Sequence, residues 1–109
     1  YHFEDNSTQA LAYDTSHDLA QSTGDQRIAQ GMSSDNDHCV SGFITFFNPS
    51  DTTFVKHFIC ETNNAHADNA SYRWNVAGYS NHTAALDGVR FKMTTGNIDS
   101  GTFKLYGVS

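Results

Sequence analysis

The chain has 109 residues, 38% of them hydrophobic, and a formal net charge of -6 from twelve acidic against six basic side chains. That length encloses one core, so a single domain over residues 1–109 is expected. The six cations, Arg27, Lys56, Arg73, Arg90, Lys92 and Lys104, are scattered, which argues against nucleic acid as a partner, and no apolar run approaches the roughly 20 residues that membrane insertion as a helix requires.

Charged residues are sparse at 17% while Ser, Thr, Asn and Gly are plentiful, a composition of strands separated by polar turns rather than of long helices. The chain opens at Tyr1 without an initiator Met, and residues 1–8, YHFEDNST, carry neither a cap nor a signal pattern. The C-terminal part of a longer polypeptide is expected, with its edge positions filled by another segment or subunit. Residues 1–38 are irregular, their apolar side chains thinly placed; Ala10–Tyr13 and Gln26–Gln30 are short strand candidates.

From Cys39 the pattern sharpens into CVSGFITFF, the turn Asn48-Pro49-Ser50-Asp51, and TTFVKHFICE. Asn and Pro suit the first two turn positions, so a hairpin is expected, with Ile44 opposite Val55 and with Val40, Ile44 and Phe46 sharing a face. Residues 62–71, TNNAHADNAS, read as a polar loop. SYRWNVAGY (Ser71–Tyr79) then alternates, with Tyr72, Trp74 and Val76 on one face. The ending Asp87–Ser109 alternates most clearly: Val89, Phe91 and Met93 against Arg90 and Lys92, then Phe103 and Leu105 against Thr102, Lys104 and Tyr106. Period-2 alternation predicts a second hairpin. About six to eight strands follow, and the expected fold class is all-β, an antiparallel β-sandwich of jelly-roll-like form.

Cys39 and Cys60 fall opposite each other in the proposed register, which allows a cross-strand disulfide; two reduced thiols are the alternative. The histidines lack zinc-site spacing, and neither His66 with Asp68 nor the run Asp35-Asn36-Asp37-His38 completes a calcium loop. No metal, cofactor or catalytic residue is assigned, since no nucleophile elbow or distinguished carboxylate pair is present. For carbohydrate, Tyr72, Trp74 and Tyr79 could stack on sugar rings while Arg73 and Asn75 bind hydroxyls. A core role for Trp74 is the competing reading.

Three pieces carry a resemblance: VSGFITFFNPS (Val40–Ser50), TFVKHFI (Thr53–Ile59) and AGY with ALDGVRFKMTTGNIDSGTFKLYGVS in the stretch Ala77–Ser109. In order and spacing, residues 39–109 resemble the C-terminal β-sandwich domains of tailed-phage virion structural proteins of the tail fibre, head fibre and decoration type. Thr94 and Thr95 stand where that family commonly has Ser, and residues 1–37 do not match it. The resemblance implies a location on the virion surface, contacts with other virion proteins, a homo-oligomer with a trimer favoured, and a role in particle assembly and stability. The alternative it implies is a receptor-binding module that reads a host surface glycan.

Overall fold

The computed structural model describes residues 1–108. Five antiparallel strands, β1 (His2–Glu4), β2 (Gln9–Leu11), β3 (Val40–Phe46), β4 (Lys56–Ala65) and β5 (Ser71–Ser80), form one sheet in the order β2-β1-β5-β4-β3. A 3-10 turn at Thr15–His17 is the one helical element among the described residues. The all-β expectation holds. The strands make a single layer, however, and not the two layers of a sandwich or jelly roll.

The meander β3-β4-β5 is the frame. Between β4 and β5 the chain turns through residues 66–70, where the His66 amide donates to the Ala70 carbonyl at 2.8 Å and Asn69 takes a left-handed φ of 64°, a conformation Asn tolerates better than most residues. The expected polar loop is thus shorter than 62–71, because Thr62–Ala65 belong to β4. Their polarity hid the strand: Thr62 and Asn64 lie on a covered face yet are polar, since main-chain carbonyls of residues 28 and 30 meet them there. β5 covers the expected Ser71–Tyr79 and runs one residue further, to Ser80.

The β3–β4 hairpin exists, but its register is shifted. The Asn48 carbonyl accepts from the Asp51 amide at 3.0 Å, closing the expected turn. Asp51 Oδ1 then accepts from the amides of Thr53 and Phe54 at 2.6 and 2.7 Å, holding residues 51–54 out of the ladder. These amides keep the Asp51 carboxyl below its usual range. Strand β4 therefore starts at Lys56, and Ile44 pairs with Cys60 instead of Val55. Because the shift is odd, every β4 side chain changes face: Phe58 and Cys60, not Ile59, lie beside Ile44.

Strand β2 overlaps the expected Ala10–Tyr13 segment, whereas Gln26–Gln30 is irregular. The expected C-terminal hairpin is the largest departure. Residues 81–108 contain no strand. Their polar ties to the rest are the Leu86 amide to the Pro49 carbonyl at 2.8 Å, the Lys56 ammonium to the Thr83 carbonyl at 3.3 Å, and Arg90 and Lys92 on the Asp25 carboxylate. Phe91 and Phe103 do meet, ring centroids 4.9 Å apart, but the segment does not pair with the sheet, and an isolated hairpin is marginal in water.

The two sheet faces differ. Even-numbered residues of β3, β4 and β5 share a face with Tyr1 and Phe3, covered by irregular segments; its buried residues are Lys56, Cys60, Thr62, Asn64 and Trp74. The Lys56 ammonium donates to the carbonyls of Phe54 at 2.7 Å and Thr83 at 3.3 Å, which satisfies it without a carboxylate. Odd-numbered residues form an open face, where Phe43, Ile59 and Tyr79 are exposed.

Candidate functional site

Alternation along β5 separates the five residues expected to form a glycan platform. Tyr72 and Trp74 point to the covered face, while Arg73, Asn75 and Tyr79 point to the open one. The structure does not bring them together. On the open face the Arg73 guanidinium contacts Glu61 Oε1 at 2.8 Å, and Tyr79 sits opposite His57, rings 5.8 Å apart.

On the covered face Tyr72 and Trp74 belong to an aromatic ladder that sequence spacing did not reveal. Antiparallel pairing sets Phe3 opposite Tyr72, and the chain start places Tyr1 beside Trp74 at 4.7 Å between centroids. His66, at the end of β4, stacks on Tyr72 at 4.3 Å. Interplanar angles within the group run from 15° to 35°, four pairs stacked and the two of Tyr1 with Phe3 and Trp74 tilted, and an aromatic pair of favourable geometry contributes about 0.5–1.5 kcal/mol beyond area burial. Desolvation raises the Tyr72 phenol above its ordinary pKa, with the Asp68 carboxylate adding to it.

Trp74 is 9% exposed and donates its indole N–H to Asn64 Oδ1 at 3.0 Å. Asn64, 1% exposed, donates in turn to the carbonyls of Gln30 at 3.2 Å and Ala65 at 3.3 Å. Trp74 is thus a core anchor that also forms one wall of a cleft. That cleft, about 310 Å³, lies between the ladder and the 3-10 turn and is lined by Tyr1, Asp14, Ser16, Gln30, Tyr72 and Trp74 among others. Gln30 Oε1 is buried without a hydrogen-bond partner among the described residues.

Asp14 caps the 3-10 turn. Its carboxylate accepts from the Ser16 hydroxyl and amide and from His17 Nδ1 at 2.8 Å, which together hold its pKa down to about 2, the Ser16 hydroxyl contributing most. Ser16 Oγ also lies 2.9 Å from the same His17 nitrogen. A proton relay sets the acid on one imidazole nitrogen and the hydroxyl on the other; with both on Nδ1, the trio here is a turn cap. Only the residue types D-T-S-H hinted at it, through the preference of Asp for such caps.

Cys39 and Cys60 are both free thiols. The true register explains why no disulfide joins them: Cys60 opposes Ile44, five residues along from Cys39, roughly 17 Å at strand rise, far beyond the reach of a disulfide. Cys39 is exposed, and Cys60 is buried, which pushes its thiol pKa up. Among the described residues no group of three or more His, Cys, Asp or Glu side chains is placed to hold a metal ion. No protein-family model matches the chain, and neither a curated protein nor a solved structure matches it.

Proposed function

We propose that this chain is a structural domain of a phage virion surface, a fibre or capsid-decoration element that acts in assembly and particle stability. One observation carries the assembly part of the reading: among the described residues three apolar ones, Cys60, Ala70 and Trp74, are buried, whereas sixteen large apolar side chains are exposed. A domain with so little enclosed apolar surface is marginal alone, and exposed apolar surface on this scale marks contacts with other chains. Packing a second layer on Phe43, Ile59 and Tyr79 would complete the sandwich, with strands supplied by other copies in a homo-oligomer, a trimer being favoured. The virion location rests on the resemblance of residues 39–109.

The test is gold-labelled antibody raised against the purified chain and applied to tailed-phage particles that encode it. Label on head or tail surfaces is expected; particles without label overturn the proposal. A second reading, recognition of a host surface glycan, is favoured by the cleft beside Tyr72 and Trp74 and by the unpartnered Gln30 oxygen. Binding on a glycan array that is lost in Tyr72→Ala would support it, and an array without signal would end it.

A further inference from the structure

Strand β3 is an edge of the sheet. The Phe47 amide donates to the His57 carbonyl, and the Ala65 amide to the Cys39 carbonyl, so odd-numbered residues of β3 turn their N–H and C=O toward β4. Those of Val40, Gly42, Ile44 and Phe46 turn outward, and no backbone partner meets them among the described residues. Natural edges are protected by brevity, charge, proline or a covering segment. The opposite edge, β2, has three residues. The β3 sequence VSGFITF has seven, with no charge and no proline.

The same chain holds a segment with the complementary deficit. Thr102–Val108, TFKLYGV, alternates as a strand but is irregular, and Leu105 is 98% exposed. It matches β3 in length. Charge favours the meeting: residues 87–109 carry +1, from Arg90, Lys92 and Lys104 against Asp87 and Asp99, while residues 1–86 carry -7.

We propose that residues 102–108 of one copy add as a strand to the free edge of β3 in a second copy. Backbone hydrogen bonds to Val40, Gly42, Ile44 and Phe46 supply the affinity, as in other strand additions. Given reciprocally, the exchange closes a pair; given head to tail, it makes a ring where the rotation between copies closes and a filament where it does not. The inference deepens the assembly part of the reading above and holds wherever on a particle, or off it, the protein works.

The test is amide hydrogen exchange of the full chain across a range of protein concentrations, read at Val40, Gly42, Ile44 and Phe46, with mass by light scattering. Protection of these amides that grows with concentration alongside mass is expected, as is its loss in Leu105→Pro. Because Leu105 is almost wholly exposed, that variant should keep the protection of β4 and β5; Thr102→Pro in the same exposed segment is the second variant. Protection independent of concentration would mean that the segment folds onto its own chain, and unprotected edge amides at high concentration would mean no pairing; either overturns the proposal. Unlabelled particles with a protected edge would remove the virion reading and leave this one standing.

Discussion

Gly31→Ala is the sharpest probe of how the irregular N-terminal third is clamped to the sheet. Gly31 has a φ of 68°, and a Cβ there would fall 1.6 Å from His66 Nε2 and 1.9 Å from its Cδ2. Its carbonyl accepts from the Ala67 amide at 2.9 Å, and Met32 bridges to His66, so the backbone has little room to retreat. The left-handed conformation costs a non-glycine residue about 1–2 kcal/mol, and overpacking about 1–3 kcal/mol more. Expelling the imidazole would also break its stack on Tyr72 and its contact with the Asp68 carboxylate. A loss of roughly 2–5 kcal/mol follows from the first two effects. Urea unfolding followed by the single tryptophan, Trp74, reads it directly, at one protein concentration because the proposed assembly would make the midpoint concentration-dependent. With a slope of about 1–3 kcal/mol/M, the midpoint should fall by about 0.7 M or more. In the background His66→Ala the steric part should vanish, giving a coupling of about 1–3 kcal/mol in a double-mutant cycle. A Gly31→Ala midpoint equal to the parent's, or costs that simply add, would refute the clamp.

Other outcomes follow from the same geometry. A thiol reagent should modify Cys39 in the native protein and reach Cys60 only on unfolding, and intact mass should not change with reductant; two fast thiols would contradict the placement of Cys60. Asn64→Leu strands the indole N–H of Trp74 and the Gln30 carbonyl, and should cost about 1–3 kcal/mol per orphaned group in the urea midpoint. Asp14, whose folded pKa is depressed to about 2, contributes stability that is present above its ordinary value near 3.8 and lost as pH falls through the folded value. Asp14→Asn should therefore flatten the acid limb of stability against pH between those two values, and an unchanged limb would show that the cap does not matter.

How much was legible varied with where the information lay. The β5 alternation and the turn at Asn48–Asp51 are local, and both appear where the residues predict them. Register is not local: one carboxylate, Asp51, captured two amides and moved the start of β4, and with it the expected Cys39–Cys60 pairing and the face of Ile59. Thr62 and Asn64 were unreadable as strand interior because their partners, the carbonyls of Ile28 and Gln30, lie 34 residues away. Period-2 patterning at 89–106 was real as a pattern but reported capacity, not occupancy. Of the aromatic ladder only the Tyr72 and Trp74 pair was legible, as neighbours on one face of β5; Tyr1 and Phe3 join it through the β1–β5 pairing and His66 through the β4–β5 turn.

The sheet's two faces differ in how closely their chemistry specifies what covers them. On the covered face the buried polar groups are matched to particular carbonyls, so an apolar surface of similar shape could not displace the segments that lie there without stranding those groups. This gives segments 26–32 and 81–86 a single seat despite their lack of regular structure. On the open face Phe43, Ile59 and Tyr79 carry no such instructions, and apolar contact alone is permissive about its partner. In the proposed assembly selectivity would then come from elsewhere, and a strand edge would provide it: a backbone ladder fixes direction and register, which flat apolar packing does not. An arm that pairs first with β3 would thereby decide which copy, and in which orientation, is brought against the apolar face.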